Sequence, residues 1–194
     1  MADGCLAPAQ KKPGVRGAPL SFSIRVASCS NPRCAARGHP RARRPSTLVG
    51  TATTVCRWTA AITVSPVRQR VGLYFSIAPS NITGDDVFAF VQHLHGHLKR
   101  PLLVIWDRFS GHKKAARLLT YLYGTRMQVE FLPAYAPELN VVEQCWGHTT
   151  YGEIANFMPH DLNDLAREVA GSLLAKHQRP DLLRAFFQHA QLRL

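Results

Sequence analysis

Two carboxylates carry the chemistry this chain could perform. Asp107 ends the apolar run Leu102-Leu103-Val104-Ile105-Trp106, and Glu143 follows the string Leu132-Pro133-Ala134-Tyr135-Ala136-Pro137-Glu138-Leu139-Asn140-Val141-Val142. A five-residue apolar run is buried in a sheet, so the residue after it emerges where strand meets solvent, and an acid there can face a cleft. Glu143 can reach the same cleft from a helix, because positions 108–142 hold one helix, one strand and a turn that return the chain to that sheet edge. Two such acids supply the hard oxygen ligands that Mg2+ or Mn2+ requires. A pair of these ions about 3.5 to 4 Å apart clamps the attacking and leaving oxygens of a phosphodiester.

Other polar residues are weighed against plainer roles. Glu138 stands within the turn and suits a cap, so Glu143 is the expected ligand, and Asn140 organises the turn or caps the helix. His112, Lys113 and Lys114 follow Asp107 closely; lysines at a helix N-terminus oppose the dipole, which points to phosphate contact, with a solvated helix face as the alternative, while Arg108 either contacts DNA or neutralises the acids. His93, His95 and His97 alternate on a helix, where residues two apart face away from each other, so solvated side chains are expected rather than a metal tract. Cys29, Cys34 and His39 lack a clear fourth zinc ligand, and Cys145 has no His-and-base constellation for thiol chemistry.

The elements that must position the two acids follow from periodicity. Residues 59–64 and 71–77 read as strands of a hairpin around Ser65-Pro66, and Thr83-Gly84-Asp85-Asp86 opens a helix with Val87, Phe90, Val91, Leu94 and Leu98 at helical spacing. After the acid-tipped strand come a helix over 112–123 ending near Gly124, a strand over 127–132 and a Pro-rich turn. Helices over 142–151, 161–177 and 181–194 complete the order. That order predicts an α/β fold, a mixed sheet with helices packed on it.

Charge divides the chain. The formal net charge is +12, yet residues 1–58 hold ten Lys or Arg against the single acid Asp3, while residues 59–194 hold fourteen against eleven. An excess of this size favours a polyanion such as DNA through counterion release. Six prolines, the run Arg41-Ala42-Arg43-Arg44-Pro45 and the lack of sustained periodicity predict a basic, disordered segment over residues 1–57, followed by a folded domain over 58–194. Five irregularly spaced cysteines provide no disulfide framework, and no apolar stretch approaches the roughly 20 residues of a membrane helix. Reduced thiols and a cytoplasmic location are expected.

Trp106-Asp107, then Gly111-His112-Lys113, then Pro133-Ala134-Tyr135-Ala136-Pro137-Glu138-Leu139-Asn140 with Glu143-Gln144 and Trp146, resemble the DDE transposases of the mariner superfamily, in their bacterial insertion-sequence branch. The resemblance implies a ribonuclease H-like endonuclease domain in which Asp107 is the second catalytic acid and Glu143 the third. It also implies Mg2+ or Mn2+ as cofactor, DNA of transposon ends and target as partner, and a second copy or an intact transposase as possible subunit partner. Val141 stands where the family usually has Pro, a mild departure because Pro presets the first helical turn but ligates nothing. The family's first catalytic Asp, on the first strand of the sheet, has no counterpart: Asp85 and Asp86 lie after the hairpin and Asp3 lies in the tail. The expectation is therefore an incomplete fold, its first strand missing or replaced, in a truncated or decayed copy that is weak or inactive alone. The alternative is a DNA-binding remnant without catalysis.

Overall fold

The computed structural model describes residues 22–29, 57–78, 81–134 and 136–192. One five-stranded sheet runs through it, with strands β1 (Phe22–Cys29), β2 (Arg57–Val64), β3 (Val71–Ala78), β4 (Leu102–Trp106) and β5 (Met127–Phe131) in the order β3-β2-β1-β4-β5. The first three strands are mutually antiparallel, whereas β4 runs parallel to both β1 and β5. Helices α1 (Gly84–Leu98) and α2 (Ser110–Tyr123) fall within the sheet-forming part of the chain. Helices α3 (Val141–Gly147), α4 (Leu162–His177) and α5 (Pro180–His189) follow it.

The expectation of a missing first strand is corrected. Phe22–Cys29 occupies the centre of the sheet, with Val26 level with Ala61 on one side and Trp106 on the other. Its apolar alternation of Phe22, Ile24 and Val26 matches Leu102, Val104 and Trp106 in register, but it spans only five residues amid Pro-rich and Arg-rich surroundings, too short to stand out by periodicity. Disorder therefore does not hold for residues 22–29; residues 1–21 and 30–56 lie outside the described residues. The alternative of a replaced strand is left open by its sequence, FSIRVASC, which contains no acid.

Two apolar clusters explain the layering. Even-numbered β2 residues Trp58, Ala60 and Ile62 pack with Val141, Val142, Cys145 and Trp146 of α3 and with Leu173, Leu183 and Phe187 of α4 and α5. Ala61, facing the other way, joins Val87, Val91 and Leu94 of α1, Leu102, Val104 and Trp106 of β4, and Ala115 and Leu119 of α2. The alternation of a strand buried on both faces thus separates α1 and α2 from α3, α4 and α5.

Local signals set the helix starts. Thr83 and Asp86 form a reciprocal capping box, the Asp86 N–H donating to the Thr83 hydroxyl at 3.3 Å and the Thr83 N–H donating to Asp86 Oδ2 at 2.8 Å. The starts of α1 and α2 approach so closely that a Cβ on Gly84 would stand 2.8 Å from Lys114 Cβ and 3.0 Å from the Gly111 carbonyl. Only glycine permits that approach, and it fixes the end of α2 that carries His112. On the other side, Asn140 caps α3 through a hydrogen bond from the Val142 N–H at 3.3 Å. A π-helical turn, His148–Glu153, prolongs α3.

Candidate functional site

Asp107 is the first residue beyond β4, and the Leu132 N–H donates to the Trp106 carbonyl at 2.8 Å, so β4 and β5 remain paired up to the acid. Glu143 sits in the first turn of α3. Both line one cleft of about 380 Å³, together with Arg108, Leu132, Pro133 and Asn140. Glu138 lies exposed in the preceding 3-10 turn and is absent from the cleft wall. The Pro-rich turn therefore brings Glu143, not Glu138, to Asp107.

Each carboxylate is shaped by its surroundings. Burial pushes Asp107 up, but hydrogen bonds from His112 and from the Phe109 N–H, with the charge of His112, outweigh that and hold its carboxyl below the ordinary value. Glu143 moves the other way, raised first by burial and then by the negative charge of Asp107. The charge of Asp107 opposes ionisation of Glu143 across the cleft, a local excess of negative charge that a cation would relieve.

His112 is where the structure departs most from expectation. It is fully buried, so the phosphate contact expected of it is not available. Its Nδ1 lies 2.6 Å from Asp107 Oδ1, its ring stacks on Trp106 at 4.9 Å with an interplanar angle of 1°, and Phe109 meets it edge-on at 5.4 Å. The Phe109 N–H donates to the same carboxylate oxygen at 2.9 Å. Oδ1 is thus engaged twice, and no hydrogen bond reaches Oδ2 among the described residues. The signal in the sequence is the five-residue interval from Asp107 to His112 across a strand-to-helix turn, beside a Trp that needs a stacking partner.

The remaining basic residues separate. Arg108 is exposed, lines the cleft and donates through Nε to the Leu132 carbonyl at 3.3 Å. Lys113 is exposed, and Lys114 pairs with Asp85 of α1 at 2.6 Å. Asn140, whose cap was expected, also lines the cleft, and its buried Nδ2 has no partner among the described residues. Cys145 beside Glu143 is buried, its thiol pushed up to about 12 by burial, which removes it from nucleophilic chemistry. His93 and His97 are exposed as expected, while His95 is half-buried against Tyr123.

The donor set fits one hard cation. Two carboxylates in a half-open cleft, one with an oxygen held in place and the other uncommitted, match a divalent ion that keeps several waters and takes one or two protein carboxylates. Among the described residues no group of three or more His, Cys, Asp or Glu could hold a metal. Along β1, the position level with Asp107 is one step beyond the Val26 and Trp106 pair, at Ala27. Ala27 is also level with Ala60, which belongs to the face that packs α3.

Residues 38–164, about two thirds of the chain, match the DDE superfamily endonuclease family. The chain belongs to that family. The matched region contains Asp107 and Glu143 and begins after β1. Among solved structures, the DDE chain resembles the Mos1 mariner paired end complex with Mn at 13% identity and a TM-score of 0.55, covering 87% of this chain and 52% of that one. It resembles the Mos1 strand transfer complex at 12% identity and a TM-score of 0.52, covering 89% and 52%. These likenesses place it in the ribonuclease H-like fold. The chain spans about half the length of these solved structures. No curated protein matches it. No helix among the described residues is long and apolar enough to cross a membrane.

Proposed function

We propose that this DDE domain is a transposase-type DNA strand cleavage and transfer domain of the bacterial insertion-sequence branch with an incomplete acid set, weak or inactive alone. The observation that carries the reading is the cleft shared by Asp107 and Glu143, beside a central strand whose level position is Ala27. Asp107 and Glu143 would hold one Mg2+ or Mn2+, which when bound stabilises charge on a phosphodiester oxygen and lowers the pKa of a bound water. His112 and the Phe109 N–H hold the Asp107 carboxylate through Oδ1, so its other oxygen would be available to a cation. Arg108 and Lys113, exposed beside the cleft, are positioned for the phosphates flanking the scissile bond; Lys114 is engaged with Asp85. DNA of transposon ends and target is the partner, and a second copy or an intact transposase subunit could supply what one chain lacks.

The first acid is the deficit. With two carboxylates a second ion binds poorly, and loss of one preorganised electrostatic partner costs about 10² to 10³ in rate. Nicking of a supercoiled plasmid in Mg2+ or Mn2+ by the wild type, Asp107→Ala and Ala27→Asp tests the reading. Ala27→Asp should raise nicking by about 10² or more, and adding Asp107→Ala to that variant should abolish the gain. No gain from Ala27→Asp, or nicking that survives Asp107→Ala, would overturn it. Salt-sensitive DNA binding by every variant with no cleavage by any would favour the binding-only alternative, which the overall charge of +12 motivates.

A further inference from the structure

The end of the sheet away from the acid cleft carries a second basic feature. The β2–β3 turn is closed by the Ser65 N–H donating to the Arg70 carbonyl and the Gln69 N–H donating to the Ser65 carbonyl, both at 2.9 Å, with Gln69 in the left-handed region at φ 46°. Two further contacts hold it. Arg184 of α5 donates to the Gln69 carbonyl at 3.1 Å, and His177 at the end of α4 lies 2.7 Å through Nδ1 from the Leu73 carbonyl of β3. Between this turn and the end of α1 lies a groove of about 860 Å³ lined by Arg68, Arg70, Arg100, His177, Thr63 and Ser65 among others, and no lining residue is acidic. Arg68, Arg70 and Arg100 are exposed and form no ion pair among the described residues.

We propose that this groove is a second binding surface for the phosphate backbone of duplex DNA, separate from the acid cleft; the partner class rests on the DNA-processing reading above. Charge complementarity carries the choice. Residues 59–194 hold fourteen Lys or Arg against eleven acids, so three unpaired guanidiniums around one groove concentrate an excess the rest of that region lacks. Guanidinium forks engage phosphate oxygens two at a time, and a duplex presents one negative charge per about 1.7 Å of its axis, a density several arginines can meet together. The turn is held from α5, so its arginines are presented from a fixed backbone. Register places the groove apart from the cleft: Val64, just before the turn, is level with Ser23 and hence Leu103, four positions before Asp107. That is about 13 Å along the strands and two strand spacings of about 4.8 Å across, so the two surfaces contact different stretches of DNA.

The test is the salt dependence of duplex binding by the full chain between about 50 and 200 mM NaCl. It compares the wild type, the triple variant Arg68→Gln/Arg70→Gln/Arg100→Gln, and a control, Arg117→Gln/Arg126→Gln, exposed arginines outside the groove. The groove variant should lower the slope of log K against log salt by about 2.7, or about 0.9 per lost phosphate contact, and the control by less than about 1. Thermal melting and Mn2+ binding should match the wild type in both variants. An unchanged slope in the groove variant, or an equal fall in the control, overturns the second surface while leaving the DNA reading standing. A wild type that binds no duplex overturns both.

Discussion

His112→Phe removes the hydrogen bond that holds Asp107, and the double-variant cycle with Asp107→Asn separates that bond from the other contacts of the His112 ring. Phenylalanine keeps a ring to stack on Trp106 and to meet Phe109, but removes the Nδ1 donor 2.6 Å from Asp107 Oδ1. Hydrogen bonds to charged groups contribute about 1.5 to 3 kcal/mol. The Asp107 side chain is 42% exposed, so water replaces part of the lost donor and about 1 to 1.5 kcal/mol is expected, with repacking costing less than about 1.5 kcal/mol more. His112→Ala also empties a fully buried site and should cost a further 2 to 4 kcal/mol, on the order of other large-to-small core changes. Urea unfolding of His112→Phe, Asp107→Asn and the double variant gives the coupling directly. For a chain of this size each kcal/mol corresponds to a shift in Tm of about 2 to 4 °C. The pH dependence has a definite sign. Because Asp107 is held below its unfolded value, its contribution is present above that value and is lost as pH falls through the folded one, so His112→Phe should flatten the acid limb of stability. A coupling within about 0.3 kcal/mol of zero would refute the reasoning.

Two other perturbations follow from the same geometry. Glu143 is raised by burial and by Asp107, so the stability it contributes is full below its unfolded value and lost as pH rises through the folded one; Glu143→Gln should raise Tm at neutral pH without divalent ions, and a fall would contradict this. Lys176 is buried and bonds Glu153 and Ser172, tying the π-helical turn after α3 to α4. Glu153→Ala strands that ammonium and should cost about 3 to 5 kcal/mol in chemical unfolding, whereas Lys176→Met leaves only a carboxylate that is 37% exposed and should cost clearly less. Equal costs would show that the asymmetry of burial does not govern the pair.

Much of the scaffold was legible because its signals are long or redundant. The capping box at Thr83 and Asp86, the alternation through β2 and β3, and the stretches that became α4 and α5 each declare their type within a dozen residues. The convergence of Asp107 and Glu143 was legible too, since an acid closing an apolar strand and an acid opening a helix after a Pro-rich turn have few places to go. β1 was not. Five alternating residues between proline-rich stretches give too little periodicity, and its place is determined by pairing with β2 and β4, which no local pattern reports. The role of His112 was hidden for a related reason: proximity to Asp107 in sequence suggested a shared solvent face, while the ring is inside, stacked on Trp106. Charge counts likewise could not show that Lys114 is spent on Asp85 whereas Arg68, Arg70 and Arg100 gather around one groove.

Mn2+ titration followed by the loss of the free-ion electron paramagnetic resonance signal measures the cation pocket without requiring turnover. The wild type should take up one ion per chain. Asp107→Asn and Glu143→Gln should each abolish that uptake, and acidification should weaken it as Glu143 protonates. No uptake by a folded wild type, or uptake unchanged in either variant, would contradict a site shared by these two acids.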